Sequence, residues 1–111
     1  MKPFPNEIDL TAQPGLPQLR DEDTHEVLRA WVTHGGGSTV LFNPYALTDP
    51  SVFGILMADI LAHAARAYAL ADETGTMTEA DARAAILDML NREAAAGPRD
   101  MKTINFGGPA N

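Results

Sequence analysis

The stretch that decides the fold is LTDPSVFGILMADILAHAARAYALADETG, residues 47–75. It opens with residues typical of a helix start, because Asp49 or Thr48 can cap the first turn and Pro50 suits the first helical position. Its apolar residues recur at intervals of three and four, the repeat of a helix with a buried face. The closing glycine suits a helix stop. The stretch therefore predicts a long helix over about residues 49–74.

This predicted helix is apolar on two sides. One side carries the larger residues Phe53, Leu56, Met57, Ile60, Ala64, Ala67, Tyr68 and Ala71. The opposite side carries a ridge of small residues, Ala58, Ala62, Ala65 and Ala69. Polar groups are confined to a narrow strip of Asp59, His63 and Arg66. A helix with so little polar surface is expected to be central in the fold and covered on both sides.

A second helix is predicted over about residues 78–96. Thr78 can cap it, and acidic residues follow in the first turn, where they suit the helix dipole. The Gly97-Pro98 pair ends it. Its inner face is expected to consist of Ala82, Ile86, Met89 and Leu90.

The connector between the helices, ADETGTMTEAD at residues 71–81, resembles half of a calcium-binding EF-hand loop when Gly75 takes the invariant glycine position. The match fails at the first ligand position, where Leu70 has no side-chain oxygen. Helix stop and helix cap together account for every residue of the segment. The segment is therefore interpreted as a turn, and no metal site is predicted.

Upstream of the long helix, VLRAWVTHGGGSTVLFN at residues 27–43 predicts a β-hairpin. Residues 27–33 and 39–42 are rich in β-forming residues, and the three glycines between them permit a tight reversal. A helix over 24–33 is the alternative, because Val27, Leu28 and Trp31 also fit a helical repeat. The run of Trp31, Val32 and Thr33 favours the strand.

The segments outside these elements complete a single predicted domain, residues 1–111. Four prolines predict an extended N-terminal arm over residues 1–20. Residues 98–111 are expected to form a partly flexible tail with a short strand near 103–106. The fold class predicted is α+β, a small antiparallel hairpin or sheet packed on the two helices.

Composition excludes several classes of function. The net charge is −7, and the eight Lys and Arg residues form no stripe, so neither nucleic acid nor an anionic membrane is an expected partner. The chain has no Cys, which rules out disulfides and thiolate chemistry. No apolar run of signal-peptide length opens the chain, so a cytoplasmic location is expected. No cofactor motif is found.

The candidate ligand pocket comprises Tyr45, Asp59, His63 and Arg66. Asp59 and His63 are four residues apart on one helix, so the carboxylate can orient the imidazole as a general base. The competing interpretation places Asp59, His63 and Arg66 on the wet strip of a mostly buried helix. It is favoured because no Ser or Cys nucleophile accompanies them in a motif.

For function, two hypotheses remain. The first is a non-catalytic interaction or regulatory module that forms a homodimer, motivated by the surplus of apolar helix surface and the open hairpin edge. The second is a small-ligand-binding domain or small enzyme with its pocket near Asp59 and His63. These two hypotheses also allow a further, unidentified partner, either a protein or a small molecule.

Three segments also resemble a known family: PFPNE at residues 3–7, EVLRAWVTHGGG at 26–37 and LTDPSVFGILMADILAHAARAYA at 47–69. Together they are similar to a family of small, mostly alphaproteobacterial domains known as domain of unknown function 5076. An aromatic-Gly pair in that family is matched by Phe53-Gly54, and a recurring Asp and His are matched by Asp59 and His63. The resemblance covers about residues 3–95. It implies a compact α+β domain, and it transfers no functional residue because the family has no assigned activity.

Overall fold

The computed structural model of the protein describes residues 4–13 and 16–96, together with the backbone of 104–106. The main elements are, in chain order, strands β1 (Leu28–Thr33) and β2 (Gly37–Phe42), helices α1 (Pro50–Ala71) and α2 (Glu79–Ala96), and strand β3 (Ile104–Phe106). Strands and helices occupy separate parts of the chain. The predicted α+β class is confirmed.

The hairpin is formed by β1 and β2, so residues 28–33 are strand and not helix. The strands are antiparallel, with Leu28 opposite Phe42 and Thr33 opposite Gly37. The reversal between them uses positive φ angles of 77° at Gly35 and 90° at Gly37, which only glycine adopts easily. The backbone of β3 lies parallel to the other edge of β2, which leaves β1 as an edge strand of a three-stranded sheet.

Helix α1 begins as its sequence predicts. One carboxylate oxygen of Asp49 accepts hydrogen bonds from the backbone N of Ser51 at 2.9 Å and from its Oγ at 2.8 Å, and Pro50 occupies the first turn. These bonds, the backbone one first, hold the pKa of the Asp49 carboxyl below its usual value. A capped first turn satisfies backbone donors that the helix itself cannot.

Helix α1 ends at Ala71, three residues before the predicted end at residue 74. Asp72 adopts an extended backbone, with φ −74° and ψ 104°. Its carboxylate accepts hydrogen bonds from the backbone N of Thr74 at 3.1 Å and of Met77 at 2.7 Å. Side-chain bonds of this kind offer the backbone an alternative to helix continuation. The positive φ of 70° at Gly75 follows within the turn.

Helix α2 packs along one side of α1 only. Ala65 and Ala82 are 1% and 4% exposed, and they are the buried apolar residues of the part of the chain that the structure describes. Ala69 is half-buried, whereas Ala58 and Ala62 are exposed. Within the described residues the ridge of small residues is thus buried at Ala65 and open at Ala58 and Ala62, and cover of α1 on both sides stays a prediction.

The sheet adds little cover to the helices. The rings of Phe42 and Phe53 meet edge to face, with centroids 5.0 Å apart. No strand Cα lies within 8 Å of a helix Cα among the described residues. The hairpin therefore reaches α1 through side chains near the helix start. The predicted inner face of α2 is likewise only partly covered, since Met89 and Leu90 are about half exposed.

The N-terminal arm is less extended than predicted. It contains two short 3-10 helices, Leu10–Ala12 and Pro17–Arg20. Pro17 is accommodated because the first helical position needs no backbone donor. The ring of Phe4 packs edge to face on Trp31 at 5.6 Å, which ties the arm to β1. Except for β3, the predicted flexible tail, residues 98–111, lies outside the described residues.

Candidate functional site

Three of the four predicted pocket residues share one strip of α1. Asp59, His63 and Arg66 are all exposed, as the wet-strip interpretation requires. Tyr45 lies in the turn after β2, where its backbone N donates to Asn43 Oδ1 at 3.0 Å, and its side chain is also exposed. No hydrogen bond or ion pair joins Tyr45 to the other three. A common pocket for the four residues remains a prediction.

The imidazole of His63 is held by the backbone and not by a carboxylate. Its Nδ1 donates to the carbonyl oxygen of Asp59 at 2.8 Å, since a carbonyl oxygen can only accept. The Asp59 carboxylate has no partner among the described residues. Arg66 approaches Glu79 of α2, with 3.7 Å between Nε and Oε1, and both side chains are largely exposed. The strip thus exposes to solvent the unpaired carboxylate of Asp59 and the weakly paired guanidinium of Arg66.

Around this strip lies an exposed surface that we call the outer face of α1. It consists of Ile55, Asp59, Ala62, His63, Arg66 and Leu70. At 100° per residue these six positions fall within one sector of about 100°. Ile55 is 68% exposed and Leu70 is 80% exposed, which is unusual for large aliphatic residues on a helix of a small domain. Arg66 is the member of this sector that approaches α2, through Glu79.

A second concave feature lies between the N-terminal arm and β1. It is a cavity of about 290 Å³ lined by residues of both segments, among them Glu7, Ile8, Leu28 and Trp31. Arg29 lies within it, with its Nε 2.6 Å from Glu26 Oε2 and its Nη1 3.2 Å from Glu7 Oε1. The hydrogen bond to Glu26 is the main reason that the pKa of Arg29 is raised. The cation is therefore already neutralised by the protein itself.

The helix connector uses its oxygens internally. Besides the backbone of Thr74 and Met77, the Asp72 carboxylate accepts from Thr74 Oγ1 at 2.7 Å. Thr78 and Asp81 cap α2 reciprocally, with Thr78 Oγ1 accepting from Asp81 N at 3.0 Å and Asp81 Oδ2 accepting from Thr78 N at 3.2 Å. The segment is a helix–helix turn, as its sequence predicts.

Helix α1 also has the length and composition of a membrane-spanning segment. Its 22 residues from Pro50 to Ala71 pass that test, and little of the span is buried within the chain. A core helix of a soluble protein meets the same criteria, but such a helix is covered, whereas α1 is mostly open. Among the described residues, α1 therefore lacks the cover that a core helix of a soluble protein has.

Comparison with known proteins places the chain in a family. Residues 16–97 match the family model described as "Domain of unknown function (DUF5076)". The chain belongs to the DUF5076 family. The predicted resemblance is thereby confirmed, and with it the expectation of an uncharacterised α+β domain. No curated protein matches the sequence.

A solved structure shares both sequence and fold with this DUF5076 chain. It is 38% identical, with a TM-score of 0.61, and the match covers 82% of this chain and 90% of the other. That protein comes from the photosynthetic bacterium Rhodopseudomonas palustrus CGA009 and is described as "a putative pyruvate dehydrogenase".

Sequence reasoning missed two features of these surfaces. It did not place Arg29 between Glu7 and Glu26, because the contact with Glu7 joins residues 22 apart in the chain. The spacing of Glu26 and Arg29 was the available local signal. It also did not single out Ile55 and Leu70. These two residues lie four positions before Asp59 and four positions after Arg66, so they share the solvent-exposed strip of the helix only when its repeat is extended in both directions.

Proposed function

We propose that this DUF5076 protein is a non-catalytic interaction or regulatory module that acts as a cytoplasmic homodimer. The observation that carries the proposal is the amount of apolar surface left open on α1. Ile55 and Leu70 on this helix are 68% and 80% exposed, and full burial of such a side chain contributes about 1.5–3 kcal/mol. A second copy of the chain offers the same surface and can cover it symmetrically.

The small size of the buried core supports the same proposal. Among the described residues, the buried apolar ones are Ala65 and Ala82, at 1% and 4% exposed. So small a core gives little apolar burial with which to offset conformational entropy.

A lipid bilayer is a poorer cover for α1 than protein is. Asp59 lies near the middle of the helix, where a charged residue costs about 2.5–3.5 kcal/mol on insertion, and Arg66 adds a second charge within the same helix. A protein partner can pair these charges. Flotation with neutral and anionic vesicles checks this point, because we expect the protein to stay in the soluble fraction.

The rival function is a small enzyme or small-ligand binder, and the description of the Rhodopseudomonas structure as a pyruvate dehydrogenase gives it a specific form. A thermal-shift assay with pyruvate, and with thiamine diphosphate and Mg²⁺, tests it directly. A ligand at one hundred times its Kd adds about 2.7 kcal/mol of stability. We expect no shift with these ligands, and a saturable shift would favour the rival.

Self-association is tested by size-exclusion chromatography with light scattering over a wide range of protein concentration. We expect a particle of twice the chain mass of 11.9 kDa. The dimer is further expected to unfold at a temperature that rises with protein concentration, as mass action requires. A monomer at the highest concentration would remove the proposal.

A further inference from the structure

The outer face of α1 has a symmetry in its sequence. Counted from the midpoint between Ala62 and His63, Asp59 and Arg66 are equally distant on either side, and so are Ile55 and Leu70. Read from either end, the face runs aliphatic, charged, centre, charged, aliphatic. The two charges have opposite sign, so the pattern is self-complementary when it is reversed.

We propose that two copies of α1 pair antiparallel through their outer faces, about a two-fold axis that passes between Ala62 and His63. This inference rests on the proposed self-association and specifies its geometry. A two-fold axis brings each residue opposite a different residue of the second copy, and the exchange is reciprocal. Asp59 then meets Arg66 of the second copy, and Ile55 meets its Leu70, twice over.

The state of the single chain supports this pairing. The Asp59 carboxylate lacks a partner among the described residues, and Arg66 reaches Glu79 only at 3.7 Å. Both charges are therefore free to change partner at little cost. Ile55 and Leu70 are the most exposed large apolar residues on the helix, and they flank the charges. Their contact across the axis would shield the ion pairs from water, which strengthens them.

Charge also selects the direction of the helices. In a parallel pair in register, Asp59 would meet Asp59 and Arg66 would meet Arg66, and both contacts are repulsive. The small side chain of Ala62 at the centre allows the two helix axes to approach closely, since interaxial distance depends on the side chains at the contact. Antiparallel pairing is thus favoured by attraction and by the penalty on its alternative.

Disulfide trapping tests the geometry, and the chain has no native cysteine to interfere. In the antiparallel pair the two copies of residue 62 are offset by only about 1.5 Å along the helix axes, within reach of a disulfide. The two copies of residue 70 are offset by about 22 Å. Under mild oxidation Ala62→Cys should give a covalent dimer and Leu70→Cys should not, whereas the double variant Ile55→Cys/Leu70→Cys should.

The outcomes separate this inference from the proposed function. An unmodified protein that is monomeric by light scattering overturns both. A dimeric protein whose Ala62→Cys variant does not cross-link overturns only the antiparallel geometry. Equal rates of cross-linking for Ala62→Cys and Leu70→Cys overturn it as well, because they indicate parallel pairing or random collision.

A charge exchange provides a second test. Asp59→Arg should raise the dimer dissociation constant at least about ten-fold, because two attractive contacts become repulsive. Adding Arg66→Asp should return it to within about three-fold, since the reversed pairs attract again. Glu79→Gln is the control for the intrachain contact of Arg66 and should leave the dissociation constant unchanged. A double variant as weak as the single one overturns the inference.

Discussion

The inner side and the outer face of helix α1 differ in their surroundings and in their composition. The inner side carries Ala65, which is 1% exposed, and the outer face carries Ile55 and Leu70, which are 68% and 80% exposed. The outer face also carries Asp59, His63 and Arg66, so its large aliphatic residues lie among polar ones. The inner side has a neighbour in the same chain because a short turn returns α2 to it. Among the described residues the outer face has no such cover, although its Arg66 approaches Glu79 of α2 at 3.7 Å, and a second chain is what we propose to cover it.

The uncovered outer face also leaves the domain with a small buried core. One helix pair buries two alanines, and the sheet meets α1 mainly through Phe42 and Phe53. Small domains are marginal because they bury a small share of their surface. A DUF5076 domain of this shape gains a second layer when another copy covers α1, so stability and self-association are expected to be coupled.

The largest expected effect comes from enlarging a residue on the inner side. Ala65→Leu should lower the free energy of unfolding by about 1–3 kcal/mol, because α2 leaves no room for the added atoms. The same change at the exposed Ala67 should alter it by less than about 0.5 kcal/mol. Urea denaturation at fixed protein concentration measures both. Equal losses of unfolding free energy at the two positions would mean that both sides of α1 are packed equally.

The next effect concerns association through the outer face. Leu70→Ala should raise the dimer dissociation constant about ten-fold, because each interface loses the burial of a leucine side chain, while the monomer itself changes little. Val32→Ala, at a similarly exposed residue on β1, is the control and should leave dimerisation unchanged. Analytical ultracentrifugation compares the two. A larger loss with Val32→Ala would move the interface to the hairpin edge.

Glycine substitutions show how far the inner contact extends. Gly54 lies on the same side of α1 as Ala65, three turns earlier, and a Cβ there would meet nothing within 4 Å. Gly54→Ala should therefore raise the unfolding free energy by about 0.5–1 kcal/mol through helix propensity. Gly75→Ala should lower it by about 1 kcal/mol, because φ is 70° there. Thermal unfolding distinguishes these opposite signs, and destabilisation by Gly54→Ala would mean that a partner occupies that space.

The smallest expected effect is a pH dependence of the unfolding free energy, caused by Asp72 in the turn that joins α1 to α2. Hydrogen bonds from the backbone of Met77, then from Thr74, hold the pKa of Asp72 below its usual value. Because the folded pKa is depressed, the stabilisation is present above the unfolded pKa of about 3.9 and is lost as pH falls through the folded value. Asp72→Asn should be less stable than the unmodified protein at neutral pH, with the gap closing in acid. A gap that stays constant from pH 7 to pH 2 would contradict this.

How much of this could be predicted from the sequence depends on the range of the interactions. The Asp49 cap, the reciprocal caps of Thr78 and Asp81, and the glycine reversal of the hairpin were all predictable because each joins residues close together in the chain. The end of α1 at Ala71 was not, because Asp72 and Gly75 both suit a helix stop and the sequence pattern does not rank them; in the structure the Asp72 carboxylate accepts from the backbone N of Met77. The shared strip of Asp59, His63 and Arg66 followed from helical periodicity.

By itself, the sequence determined the α+β class and the positions of the hairpin and both helices, because local hydrogen bonding and periodicity specify these. Only the tertiary structure decided which part of α1 is covered. Ala58, Ala62 and Ala65 belong to one ridge of small residues, yet after the short turn from Asp72 to Thr78 returns α2 to the helix, Ala65 is buried and Ala58 and Ala62 stay in water. Burial is a property of neighbours, and a residue's neighbours across the fold are set by the path of the chain.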